Sequence, residues 1–254
     1  MEISLDGKVA LVTGVGPNIG SGVALALSRY GAKVACNDVD EAAIKACIAR
    51  VERNGGEAMA APGDVTDEAA VQNYIADVLA RWGHIDILVN NAATNVAFGP
   101  CLEIDEGQFD KMVEVNLKST FRLVRLVAPG MCERGSGSII NISSVSGIRP
   151  QFHSLLYSMT KAALIMMTQS YALELGPKGV RVNAIAPGVI ETQLSEIYWK
   201  GDRKNADLIG HQAIRRVGQP ADIAEVALLM ASDRGSFMTG HTAVVDGGFL
   251  LPAL

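Results

Sequence analysis

No apolar run in this chain of 254 residues approaches the roughly 18 residues that a membrane-spanning helix needs, so no membrane association is expected. Charge is scarce as well, with Asp, Glu, Lys and Arg at 19% of the residues and a formal net charge of −5. Apart from the pair Arg215-Arg216 there is no cluster of Lys and Arg. That excludes the electrostatic footprint of a nucleic-acid binder and leaves the pair as a surface feature. The four cysteines, Cys36, Cys47, Cys101 and Cys132, have neither CxxC spacing nor a histidine at metal-ligand spacing. Each is read as a small buried or partly buried residue, and no metal site is expected. The amino end carries no basic start followed by an apolar stretch, so no secretory signal is visible and a cytoplasmic location is expected.

What the chain does have is a hydrophobic content of 49% together with 26 glycines, which excludes disorder and suits strands covered on both faces. Apolar runs of strand length recur at 9–13, 34–38, 57–61, 85–90, 138–143, 180–185 and 242–245. Helical patterns fall between them near 18–30, 40–54, 67–82, 106–133, 155–176 and 220–231, with Asp67 and Asp222 placed as first-turn acids or caps. Such alternation predicts βαβ units. The expectation is one α/β domain over residues 1–254, doubly wound, with a seven-stranded parallel sheet flanked by helices on both faces. The one long interruption, about 188–219, reads as a substrate-loop insertion over the site.

The first strand runs into Thr13-Gly14-Val-Gly-Pro-Asn18-Ile19-Gly20 and then into a helix rich in Ala and Leu. Glycines there let backbone N–H groups approach a pyrophosphate at the helix amino end. A glycine turn alone would also suit a tight strand-to-helix connection with no ligand. Asp38, at the end of the second strand, strengthens the reading. An acid there can accept hydrogen bonds from both ribose hydroxyls of NAD and repel the 2′-phosphate of NADP. Asp64-Val65 after the third strand and Asn90-Asn91-Ala92 after the fourth add polar groups at the edge where open parallel sheets bind ligands. Downstream, Tyr157 and Lys161 stand at i, i+4 spacing and so share one helix face. Such a pair can be a solvated surface feature, or it can be an acid and the cation that lowers its pKa. Ser144 lies just past the fifth strand at the same edge, with Ser143 and Ser146 as close competitors.

In these motifs the chain resembles the short-chain dehydrogenase/reductase family, from Leu5 to about Phe249, which implies a Rossmann-type oxidoreductase domain. Thr13, Gly14 and Gly20 match the family's T-G-x-x-x-G-x-G, with Asn18 in place of the middle glycine. Asn tolerates positive φ better than other non-glycine residues, so the turn is expected to survive with Asn18 in that conformation. The family's N-N-A-G is Asn90-Asn91-Ala92-Ala93 here. The resemblance implies four catalytic roles. Tyr157 is the acid/base and Ser144 holds the substrate oxygen. Lys161 lowers the tyrosine pKa and binds the nicotinamide ribose, and Asn116 supports a water-linked proton path. Pro187, Gly188 and Thr192 resemble the segment closing over the nicotinamide end.

The function these features imply is NAD-dependent hydride transfer with a secondary alcohol or ketone. The alternatives are an NADPH-preferring carbonyl reductase, to which the Asn-Asn-Ala-Ala and Ile-Arg-Arg segments are similar, and a catalytically silent NAD-binding protein. Residues 94–100, 149–156 and 189–211 are expected to line the substrate pocket. Phe98, Phe152, Leu155, Leu156, Ile197, Tyr198 and Trp199 would make its wall apolar. The segment from Met159 to Leu175 is apolar over more than one stripe, and the end Phe249 to Leu254 is apolar too, so both predict a second partner surface. The family resemblance makes that partner a homotetramer, pairing 106–133 and 155–176 across one interface and the carboxyl ends across another.

Overall fold

The computed structural model of the chain describes residues 3–199 and 212–251. Its centre is a sheet of seven parallel strands: β1 Val9–Thr13, β2 Lys33–Asn37, β3 Ala58–Ala60, β4 Ile87–Asn90, β5 Gly137–Ile142, β6 Val180–Pro187 and β7 Thr242–Val245. They lie in the order β3-β2-β1-β4-β5-β6-β7. The chain starts mid-sheet, winds outward through β2 and β3, then returns to lay β4 against β1, with Leu11 beside Leu88. Loops leaving β1 and β4 therefore diverge to opposite faces, and a crevice opens between them at the carboxyl edge.

Helices α1 Ile19–Arg29, α2 Glu41–Arg53, α3 Glu68–Trp82, α4 Glu106–Val113, α5 Ser119–Arg134, α6 Leu155–Leu175, α7 Glu196–Trp199 and α8 Pro220–Ala231 connect and cover the strands. Strand alternation divides the core into two layers. Ala10 and Val12 pack with Val23, Leu27, Ile223 and Leu228 from α1 and α8. Val9 and Leu11 pack with Val71, Val78, Leu123 and Met131 from α3 and α5. Each such buried Val, Leu, Ile or Met side chain stabilises the fold by about 1.5–3 kcal/mol. Close approach of α1 to α8 depends on Gly22, where a Cβ would stand 3.0 Å from that of Pro220.

The two expected helix acids do cap. Asp67 accepts from the Ala69 and Ala70 N–H groups, and Asp222 accepts from Gln219 N at 2.7 Å while a fork from Arg216 holds both its oxygens at 2.7 Å. The single helix expected over 106–133 is instead two, α4 and α5, joined by a π turn over Glu114–Lys118 in which Ser119 N–H reaches the Glu114 carbonyl. The chain passes from one helix to the other through that turn without a cap or a break, so the stretch still reads as one helical pattern. Cys36 and Cys47 are buried with their sulfurs 3.7 Å apart, and Cys132 is half-buried. Cys101 departs from its expected partial burial and is exposed, on a short turn after the β4 loop. Among the described residues no helix is long and apolar enough to cross a membrane.

Candidate active site

The floor of the crevice is a lock between the loops after β1 and β4. Asn91 Nδ2 donates to the carbonyls of Thr13 at 3.0 Å and Gly14 at 2.8 Å. In return, Thr13 Oγ1 accepts from the backbone N–H groups of Asn91 and Ala92, both at 3.1 Å. Gly14 adopts φ +69°, and a Cβ on it would stand 2.9 Å from Ala92 Cα, so the two loops touch only because no side chain intervenes. One residue type at each of three places thus fixes where the β1–α1 turn sits.

Asn18 departs from the conformation expected of it. Its φ is −152°, extended rather than left-handed, because it is the N-cap of α1 and its Oδ1 accepts from Gly20 N at 2.7 Å. The amide does what a glycine could not, satisfying one of the orphan donors of the helix. Helices α2, α3 and α4 begin with Glu41, Glu68 and Glu106, whereas the first turn of α1 holds no acid, leaving its positive dipole end uncompensated for an incoming anion. Beside this turn Asp38 Oδ2 accepts from Gly16 N at 3.0 Å and Oδ1 from Asp40 N at 3.1 Å. Further along, burial raises the Asp64 pKa, but Thr66 N–H and O–H, both 2.8 Å from Oδ1, and the charges of Lys111 and Arg122 outweigh it and hold it below the usual value. Glycine backbone, an uncompensated helix start and a carboxylate at the β2 tip fit the pyrophosphate and ribose of a dinucleotide.

Lys161 is 3% exposed, and its Nζ donates to the Ile142 carbonyl at 2.8 Å, 5.6 Å from the centre of the Tyr157 ring. Burial pulls its pKa down to about 8. No carboxylate pairs with it among the described residues. The helix is seated against the β5 tip, with Ser143 Oγ donating to the Lys161 carbonyl at 2.9 Å. A Cβ on Gly147 would stand 2.6 Å from the carbon of that carbonyl, so Gly147 is a requirement that sequence reading missed. The bond to Lys161 occupies the Ser143 hydroxyl. Ser144 Oγ, by contrast, accepts from Ser146 N at 3.1 Å, which leaves its own hydrogen to donate. Asn116 sits in the π turn, 2% exposed, with bonds to both Thr94 N and Thr94 O and to Thr160 Oγ1. It ties the β4 loop to α6 one residue before Lys161.

Gly14, Asn18, Ile19, Asp38, Asp64, Val65, Asn91, Ala92, Ser144, Tyr157, Lys161, Pro187, Gly188 and Thr192 all line one cleft of about 810 Å³. Two of the expected residues do not line it. Gly20 lies beneath it, where a Cβ would meet the Gly14 carbonyl oxygen at 2.2 Å, and Asn116 lies behind it. Gly188 is required because a Cβ would fall 2.7 Å from Asp246 Cα. The two ends of the 188–219 segment are pinned by Glu191 N to Gly218 O at 2.8 Å and Gly218 N to Val189 O at 3.0 Å; residues 200–211 lie outside the described residues. Among the described residues, the apolar side chains expected on its wall are not the ones that form it. Phe98, Phe152, Leu155, Leu156 and Trp199 do not line the cleft, Phe152 is 87% exposed, and the side chains of Ile197 and Tyr198 lie outside the description. Asn95, Gln151 and Gln193, with the apolar Val189, Ile190 and Leu194, come from the same three loops and line it instead. An alternating loop turns one residue in and the next out, and hydrophobicity alone does not say which.

A family model described as enoyl-(acyl carrier protein) reductase matches residues 14–250. The chain is 35% identical over 248 residues to 3-oxoacyl-(acyl-carrier-protein) reductase of Thermotoga maritima, covering 97% of this chain and 99% of the relative. A crystal structure of NAD+-bound xylitol dehydrogenase superposes with a TM-score of 0.89 at 32% identity, covering 96% of this chain and 99% of that one. A gluconate 5-dehydrogenase from Burkholderia cenocepacia, in complex with NADP and tartrate, gives 0.93 at 33%, covering 98% of each chain. With seven parallel strands, a glycine turn, and Ser144, Tyr157 and Lys161 in one cleft, the chain belongs to the short-chain dehydrogenase/reductase family and is an NAD(P)-dependent oxidoreductase acting on CH–OH or carbonyl groups.

Proposed function

We propose that the protein catalyses reversible hydride transfer between NAD and a secondary alcohol or ketone, with Tyr157 as acid/base. The observation that carries this reading is the buried Lys161 ammonium beside the Tyr157 ring, without a carboxylate to neutralise it among the described residues. A phenol of reference pKa about 10 needs a shift of about 3 units, or roughly 4 kcal/mol, to ionise near neutrality. With its charge 5.6 Å from the ring centre, the cation supplies on the order of 3 kcal/mol at an effective dielectric near 20, a large part of what is required. With a pKa of about 8, the lysine is itself mainly charged at pH 7.

Bound nicotinamide supplies the hydride acceptor or donor. In the oxidative direction the Tyr157 phenolate takes the hydroxyl proton while Ser144 O–H donates to the same oxygen; the C–H and O–H bonds break, the C=O bond forms, and the hydride leaves with its electron pair. Lys161 stabilises the phenolate and holds the nicotinamide ribose. Asn116 carries the proton path behind it. Asp38 accepts from the adenosine ribose hydroxyls, and its charge, unpaired by any Lys or Arg among the described residues, disfavours a 2′-phosphate. Pro187, Gly188 and Thr192 border the nicotinamide end, and the described start of the 188–219 segment, through Gln193, faces the substrate. The exposed apolar side chains of α6, Met166 at 61% and Leu173 at 80%, with Phe121 on α5, support a homotetramer, and we place it in the cytoplasm.

The test is a comparison of kcat/KM for NAD(H) and NADP(H), with Tyr157→Phe alongside. The expected result is at least about tenfold preference for NAD(H), and a kcat loss of 10²–10⁴-fold in Tyr157→Phe with NADH affinity retained. Preference for NADP(H) would favour a carbonyl reductase of that cofactor class and remove the role given to Asp38. NADH binding with no turnover of any alcohol or ketone would make the protein a silent nucleotide binder.

A further inference from the structure

The loops after β4, β5 and β6 contribute the carboxamides of Asn95, Gln151 and Gln193 to the cleft that holds Ser144 and Tyr157. The charged side chains lining the same cleft among the described residues are Asp38, Asp40, Asp64 and Lys111, which follow β2 and β3 or lie on α4, and the buried Lys161. A carboxamide offers both a donor and an acceptor without a net charge, which is the complement of a hydroxyl group. The fold itself makes little use of these three. Gln151 Nε2 has one long bond, 3.3 Å to the Arg149 carbonyl, and Asn95 Oδ1 is covered with no hydrogen-bond partner among the described residues. Contrast Asn91, Asn116, Asn141 and Asn183, whose amides are spent on other strands and loops. The carboxamides of Asn95, Gln151 and Gln193, carrying one long bond between them among the described residues, reach from three loops the cleft that holds Ser144 and Tyr157, set between the apolar Val145, Val189 and Leu194, and together form a recognition surface for hydroxyls on a carbon chain.

We infer that the substrate is a short carbon chain bearing hydroxyls on the carbons flanking the reacting one, recognised through Asn95, Gln151 and Gln193; this rests on the hydride-transfer reading above. A site built to bind hydroxyls rejects analogues that lack them, because its polar groups are then left unpaired. The converse also holds. A monohydroxy alcohol of the same length makes its contact with Ser144 and Tyr157 and gains nothing from the rest of the wall.

The experiment measures kcat/KM of the full chain with NAD+ for linear pentitols and hexitols, their aldonic acids, and 2-pentanol and 2-hexanol as carbon-matched controls. At least one polyhydroxylated substrate should exceed its matched alcohol by about a hundredfold or more, as expected for two or three lost hydrogen bonds. Preference for polyols or for aldonic acids distinguishes the two sources of that chemistry, and either supports the inference. Simple alcohols turned over as well as or better than polyhydroxylated ones overturn it. Gln151→Leu and, independently, Gln193→Leu should each narrow the ratio by about tenfold; a ratio unmoved by both sinks the assignment of these residues. Should no compound be oxidised, the hydride-transfer reading fails on its own. The substrate class is then decided by thermal shifts of the NADH complex, where stabilisation by pentitols but not by 2-pentanol supports it and equal or absent shifts overturn it.

Discussion

At the nucleotide end of the cleft nearly every polar side chain is committed to holding the fold. Asn37 donates to Ala61 O and Gly63 O at 2.8 and 3.0 Å, Asn90 donates to Asn141 at 2.8 Å, and Asn91 bridges two turns. Across the cleft, the loops after β4 and β5 leave Leu102 and Phe152 exposed at 96% and 87%. His153 there holds φ +60° without being glycine. The difference follows from what each half must do. A pyrophosphate-linked dinucleotide varies little across the family, so its cradle can be welded by side-chain to backbone bonds. The substrate is what varies, so the facing wall is built from loops whose side chains are free to specialise.

The largest expected effect lies at the seam of the two halves, on Lys161. Burial lowers its pKa from 10.5 to about 8, so the native state carries the full cost of a buried ammonium below pH 8 and none above 10.5. Between those values the unfolded chain binds more protons than the folded one, and this contribution to stability therefore rises with pH. Against Lys161→Met, which cannot titrate, the wild-type protein without nucleotide should gain about 3 kcal/mol from pH 8 to 10.5 in denaturant unfolding. A constant difference would mean that the ammonium is solvated, and the seam would then belong to the open half.

How far each half can be read from sequence follows the same division. All seven strands were legible because apolar runs are local, and the parallel arrangement follows from their alternation with helices. The order β3-β2-β1-β4-β5-β6-β7 was not, since it depends on which crossover goes to which side. Gly147 is equally invisible, as its need comes from Lys161, fourteen residues away in sequence and in contact only after folding. The wall residues failed for another reason. The right loops were identified, but choosing their aromatics over Asn95, Gln151 and Gln193 assumed that large apolar residues turn inward, and Phe152 packs instead on His153 with ring centroids 4.0 Å apart.

Glycines give the next contrast. A Cβ on Gly20 would stand 2.2 Å from the Gly14 carbonyl oxygen and 2.6 Å from Asn91 Nδ2, so Gly20→Ala must displace the lock itself. We expect a loss of about 1–3 kcal/mol in stability and a weakened NADH titration. Gly99→Ala, in the open half, meets nothing within 4 Å and should leave both within error. Equal responses at the two positions would mean that the halves do not differ in rigidity.

The smallest effect separates two explanations of Asn18. If the residue were tolerated for a left-handed backbone, Asn18→Gly would relieve strain and stabilise the protein. The extended φ of −152° and the Oδ1 bond to Gly20 N give the opposite sign, because glycine keeps the backbone geometry but loses the cap. Asn18→Gly should therefore cost a few tenths of a kcal/mol, and Asn18→Ala about 1 kcal/mol, since alanine loses the same bond and lacks glycine's freedom at the cap position. Paired denaturant titrations on the two variants suffice to see the order, with Ala below Gly below wild type. A Gly variant more stable than wild type would show that the helix start gains nothing from the amide.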